Sequence, residues 1–208
     1  MLGRGGMLLA GWPTPLSFRA ADETNNSGTI VKPAGVAAGD LVVIVTGLDV
    51  DPTITTASGG DVWSKNSDAT QRLFWKILTA HDVANNWGSS SVNTYASAAA
   101  WSNQSLAISS VTIRSAADSG PNVTTLTVPG FAPSGSGKPR TVIAAISTNW
   151  NAGSNIAAPS PFTARAQHQN PNSTLADMTV GYSGQSAAWT GLTSGAGNTN
   201  SGWLVEVH

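Results

Sequence analysis

Leu41-Val42-Val43-Ile44-Val45-Thr46-Gly47-Leu48 is apolar at nearly every position, and Gly39-Asp40 stands directly before it. A strand that is apolar on both parities is covered on both faces, so it belongs at the centre of a sheet inside a layered β-protein. Val142-Ile143-Ala144-Ala145-Ile146-Ser147-Thr148 writes the same kind of run again, at an offset of 100 residues when Val42 is matched with Val142. The surroundings match as well. After the first run come a Pro/Thr/Ser/Gly connection, an aromatic strand around Trp63 and an alternating strand from Arg72 to Thr79. After the second come Pro159 and Pro161, then Phe162, then an alternating stretch from Leu175 to Tyr182. An offset of this length exceeds the roughly 20 to 50 residues of a solenoid repeat, which leaves two related half-domains in one sandwich.

Working outward, Leu73, Trp75 and Ile77 share one parity while Arg72 and Lys76 share the other, which predicts a half-buried strand with a solvated outer side. Leu16 to Ala21 and Thr29 to Val31 read as two short strands around the turn signal Asn25-Asn26-Ser27-Gly28. Leu106 and Ile108 are out of phase with Val111 and Ile113, so a β-bulge is expected between Ser109 and Ser110. The closing strand, with Trp203, Val205 and Val207 inward, is expected to correspond to Leu106 through Ile113 of the first half. Helical signal is confined to one turn at Thr79-Ala80-His81-Asp82-Val83-Ala84. The expected fold is therefore all-β: a two-sheet antiparallel β-sandwich of jelly-roll type with two pseudo-repeated halves. Residues 14–208 form its single domain, with half-units about 36–115 and 138–208, and residues 1–13 form an extended N-terminal arm.

Composition narrows the function classes. Only 10% of the 208 residues are Asp, Glu, Lys or Arg and the formal net charge is −1, against about 25% charged residues in an ordinary domain. Electrostatic capture of nucleic acid or of an anionic membrane needs clustered cations, so neither partner is expected. The absence of cysteine removes disulfides and thiolate metal sites together. Arg4 ahead of Met7-Leu8-Leu9-Ala10 loosely resembles a signal peptide, but the apolar stretch is short and Gly11-Trp12-Pro13 interrupts it, so none is expected. No apolar run approaches the roughly 20 residues that span a bilayer, and a soluble chain or assembly is expected. The arm carries Leu2, Met7, Leu8, Leu9 and Trp12; these either fold back on their own domain or dock on another subunit.

Motifs that would carry catalysis or cofactor binding fail on inspection. Gly135-Ser136-Gly137-Lys138 has Pro139 where a phosphate loop needs Ser or Thr, and lacks the strand-then-helix context. Gly181-Tyr182-Ser183-Gly184-Gln185 has its second glycine one position too early for a nucleophile elbow. His81, His168 and His208 have no neighbours at metal-ligand spacing. Asp49 and Asp51, with Asp61 or Asp68, offer a hard cation carboxylates without calcium-site spacing. Glu23 and Glu206 are the only glutamates, and no acid/base pair can be named. No cofactor, no metal and no enzymatic activity are expected. Trp75 and Trp203 read as core, and Trp63 as a cap at one end of the sandwich. Trp87, Trp101, Trp150 and Trp189 stand among Asn, Ser, Gly and Ala, where an indole either lines a buried seam or subunit contact or stacks on a glycan ring.

Four segments carry a resemblance: Gly39-Asp40-Leu41-Val42-Val43-Ile44-Val45, Thr53 through Trp63, Arg72 through Asp82 with its Trp75-Lys76 pair, and Ser201-Gly202-Trp203-Leu204-Val205-Glu206-Val207. In this order they resemble a family of tailed-bacteriophage and prophage virion proteins, over most of residues 36 to 208. The chain departs by inserting Gly60-Asp61-Val62 ahead of Trp63, and the arm has no counterpart. The resemblance implies a non-enzymatic structural protein on the outer surface of the virion: a head decoration or head fibre, or a tail-fibre or collar component. It would dock on other capsid or tail proteins as a homo-oligomer, expected to be a homotrimer. The alternative is a receptor-recognition module that binds host glycans through loop tryptophans.

Overall fold

The computed structural model describes residues 16–47, 53–56, 63–68, 71–91, 94–102, 111–118, 123–132, 141–149, 156–169, 172–178, 184–192 and 199–207, with backbone alone for 66–68, 118 and 172. The N-terminal arm, Trp150, Asp49, Asp51, Asp61, His208 and the expected bulge at Ser109 and Ser110 lie outside the described residues.

The fold is all-β with several antiparallel sheets. The first half contributes β1 (Ser17–Ser27), β2 (Thr29–Ile30), β3 (Leu41–Gly47), β4 (Ile54–Thr56), β5 (Ser64–Asp68), β6 (Gln71–Ile77), the helix α1 (Ala80–Ala84), β7 (Trp87–Ser89) and β8 (Thr94–Ser102). The second contributes β9 (Val111–Asp118), β10 (Thr125–Val128), β11 (Val142–Thr148), β12 (Thr163–Gln169), β13 (Asn172–Met178), β14 (Ala187–Thr190) and β15 (Asn200–Val207). One five-stranded sheet runs β1-β8-β3-β6-β5 and the other β12-β13-β11-β15-β9. The apolar runs β3 and β11 are the middle strands, as two-sided burial requires. Each large sheet has a small one of its own residues, β2-β7-β4 in the first half and β10-β14 in the second.

Three apolar clusters hold these layers together. Between the large sheets lie Leu41, Val43, Val45, Leu73, Ala99 and Trp101 from one side, with Ile143, Ala145, Leu175, Trp203 and Val205 from the other. The opposite parity of β3, Val42 and Ile44, packs with Ile30, Ile54, Trp63, Phe74 and Trp87 against the first small sheet. The opposite parity of β11, Val142, Ala144 and Ile146, packs with Leu126, Val128, Phe162 and Trp189 against the second. Period-two alternation thus feeds two different cores from one strand.

Several expectations are corrected. The strand beside β3 in the place that β15 takes beside β11 is β8, rather than Leu106 through Ile113. It hides in the sequence because Ala98-Ala99-Ala100 favours helix by propensity; here Ala98 and Ala100 share a cluster with the indoles of Trp63 and Trp87, while Ala99 joins the core between the large sheets. Sheet membership changes between residues 102 and 111, and β9, inside the first expected half-unit, is an edge of the second sheet. The outer side of β6 is covered instead of solvated: Phe74 is buried there, and the Lys76 ammonium lies 2.7 Å from the buried Asp82 carboxylate. The two short strands expected near the start include one long strand, β1, with Asn26 at φ 49 near its end.

Candidate functional site

The carboxylates buried in this fold come first, because an unpaired buried charge is costly and its partners show what it does. Asp82 is fully buried at the start of α1. Its Oδ1 accepts from Lys76 Nζ at 2.7 Å and Thr56 Oγ1 at 2.5 Å. Its Oδ2 accepts from the Thr79 amide at 2.8 Å and the Thr79 hydroxyl at 2.7 Å. Thr79 and Asp82 complete a capping box. Burial alone would raise the Asp82 pKa, but these hydrogen bonds, led by Lys76, outweigh it and lower the value to about 2. At the other end of α1, Lys32 donates to the carbonyls of Val83 and Asn85 at 2.6 and 3.1 Å, where a cation complements the helix terminus.

The other two pairs sit on edge strands. Arg19 falls at a register shift in β1 and meets Asp40, which is 3% exposed, through Nε at 2.7 Å and Nη2 at 3.1 Å. Arg165 falls at a register shift in β12 and reaches Asp177, 2% exposed, at 3.0 Å through both Nε and Nη2. Asp177 also accepts the indole N–H of Trp101 from the opposite sheet at 2.5 Å, and the Arg165 guanidinium lies 4.7 Å over the Phe18 ring.

A second polar group of residues crosses between the large sheets. Ser173, Ser147 and Ser201 are aligned across β13, β11 and β15. The Ser147 hydroxyl donates to the Thr46 carbonyl at 2.7 Å, Ser173 and Ser97 share a hydrogen bond of 2.7 Å, and Ser201 donates to Gln71 Oε1 at 2.6 Å. Gln71 in turn donates to the Thr199 hydroxyl at 2.7 Å. Sequence reasoning missed this row: no motif marks it, and the only available signal is a serine at an inward parity on each of three strands.

The tryptophans are also placed differently from their sequence context. Trp87, Trp101 and Trp189 are all 0% exposed, so glycan stacking at these three positions is corrected: each indole is buried in an apolar cluster of the chain itself. Trp87 donates to the Asp82 carbonyl at 2.9 Å and meets Trp63 edge-on at 4.8 Å between ring centroids. Trp189 pairs with Leu126 in the second small sheet as Trp87 pairs with Ile30 in the first. The neighbouring Asn, Ser and Gly residues mark turns correctly and say nothing about where the indole points. His81 is exposed; His168 is buried edge-on to Tyr95 at 5.8 Å.

A surface groove lies between the edge strands β1 and β12. It has a volume of about 310 Å³ and is lined by Ala21, Asp22 and Glu23 on one side and Ala164 to Gln167 on the other. Asp22 and Glu23 are exposed, and the one cation in the wall, Arg165, is held by Asp177. Among the described residues no three His, Asp or Glu side chains cluster closely enough to hold a metal ion, and no helix is long and apolar enough to cross a membrane. No family model, no curated protein and no solved structure matches the chain.

Proposed function

We propose that the chain is a non-enzymatic structural protein of a tailed-bacteriophage virion, an accessory module on the outer surface of the head, tail or collar that docks on other virion proteins as a homotrimer. The segments that resemble virion proteins give the lineage. The observation that carries the reading is the use made of buried polar groups: Asp40 ties the approach to β3 to β1, Asp82 ties α1 to β4 and β6, and Asp177 and the serine row tie sheet to sheet. A scaffold so committed is suited to transmitting contact between neighbours through its surface and edges.

We also read the paired large sheets as a sandwich of jelly-roll type and the halves as pseudo-repeats. Supporting this, β1-β8-β3-β6-β5 and β9-β15-β11-β13-β12 follow the same order of first, last, central, and two further strands within each half. Residues 1 to 13 are the proposed docking arm, with Leu2, Met7, Leu8, Leu9 and Trp12 supplying apolar area. Deleting residues 1 to 13 is expected to abolish incorporation into particles while circular dichroism and the melting temperature of the purified protein stay unchanged. Normal incorporation would remove the arm from the proposal, and particle density without this chain would remove the virion assignment.

A further inference from the structure

The large sheets are built from separate stretches of sequence. Every strand of the first sheet and its small companion falls within residues 16–102, and every strand of the second pair within 111–207. Among the described residues no backbone-to-backbone hydrogen bond joins the two stretches. What joins them is side chains. The apolar cluster between the sheets draws on both, and a set of hydrogen bonds crosses it: Trp101 to Asp177, Ser97 to Ser173, Ser201 to Gln71, and Ser147 to the Thr46 carbonyl.

The arrangement of contacts across the junction is also reciprocal. β3 meets β11 at the middle; β8 meets β13 while β15 meets β6; and β1 meets β12 while β9 meets β5. If the strands are matched by their place in each sheet, each of these contacts, and that of β3 with β13 against β11 with β6, is returned by its counterpart; the contact of β8 with β12 stands apart from the pattern. Two subunits related by a two-fold axis meet in this way, residue set against residue set. The apolar centre with crossing hydrogen bonds resembles a permanent interface between subunits.

We infer that residues 16–102 and 111–207 are two modules that bind one another through these inner faces, each being the other's partner, joined in sequence through residues 103–110. Joining them in one chain raises the local concentration of one module near the other, and the covalent connection is dispensable for the association itself. The pairing is a property of the chain, whatever particle carries it.

The experiment inserts a protease site between Ser105 and Leu106 of the full-length protein and cuts it after folding. The uncut insertion variant, compared with the parent by circular dichroism, establishes that the insertion is tolerated. After cutting, native mass spectrometry and gel filtration are expected to find the two pieces as a 1:1 complex with the elution volume and spectrum of the uncut chain. Trp101→Phe, which removes the crossing bond to Asp177, is expected to raise the dissociation constant of the cut pair by roughly 10- to 100-fold while the uncut chain stays folded. Pieces that separate or precipitate on cutting would overturn the inference. So would a cut pair whose dissociation constant is indifferent to Trp101→Phe.

Discussion

Replacing Asp82 by Asn removes a single charge and leaves the side chain's shape almost unchanged, which makes the consequence readable. The carboxylate accepts hydrogen bonds from Lys76, Thr56 and Thr79, and an amide has one oxygen to offer where the carboxylate has two. The Lys76 side chain, 13% exposed, would keep its charge and lose its counter-ion, a loss worth roughly 3–5 kcal/mol when a buried pair is broken from one side. Part of that cost depends on pH. The folded-state value of about 2 lies below the ordinary 3.8, and the difference corresponds to about 2.4 kcal/mol of stability at neutral pH. Because the folded value is the lower one, this contribution is complete above the unfolded value and drains away as pH falls through about 4 towards 2. Asp82→Asn has no such contribution to lose. Urea unfolding followed by tryptophan fluorescence, run on both proteins from pH 7 to pH 2, is therefore expected to show a large gap that narrows with acid. A gap below about 1 kcal/mol at pH 7, or one of constant size down to pH 2, would refute this account of the site. Lys76→Met in the Asp82→Asn background is expected to recover part of the loss, since it removes the stranded ammonium.

Two glycine substitutions separate steric from conformational cost. At Gly202 on β15 an added Cβ would stand 2.8 Å from a Val128 methyl and 3.2 Å from a Leu126 methyl, so Gly202→Ala is expected to cost about 1–3 kcal/mol by overpacking. Gly35 has φ +69 and open space around it, so Gly35→Ala is expected to cost about 1–2 kcal/mol from backbone strain alone. In thermal melts, undoing the strain by Gly35→Asn, which tolerates this backbone region better than Ala, is expected to recover stability, while Gly202→Asn is not. Ser201→Val leaves Gln71 Oε1 without its donor between the sheets, at about 1–3 kcal/mol, and Gln71→Leu added to it is expected to return part of that in chemical denaturation. A double variant no more stable than Ser201→Val would show that the serine row does not hold the sheets.

The parts of this fold that are legible in sequence are those where one physical demand dominates. β3 and β11 are read directly because a central strand covered on both faces must be apolar at every position. The turn of helix at Ala80 is legible as the one helical stretch, Thr79 to Ala84, and the structure closes it with a capping box between Thr79 and Asp82. β8 is not, since the layer above it asks for small residues at Ala96, Ala98 and Ala100, and alanine carries no strand signal of its own. The outer face of β6 misleads for a related reason: Lys76 announces solvent, yet it is answered by a buried carboxylate six residues further on. The candidate site was the least legible. Indole exposure depends on which layer lies across from a strand, a long-range fact that the neighbours of Trp87, Trp101 and Trp189 do not encode.

The division of the sheets between 16–102 and 111–207 has a consequence in time. During synthesis the first of these stretches is complete about 100 residues before the last strand of the second, which at roughly 5–20 residues per second amounts to about 5–20 s. For that interval Leu41, Val43, Val45, Leu73 and Trp101 have no partner sheet to cover them, and the nascent chain presents an apolar surface to whatever is nearby. Neighbouring ribosomes on one message hold the same surface at the same moment, so the order in which this chain is made decides whether its first half waits for its own second half or meets another copy.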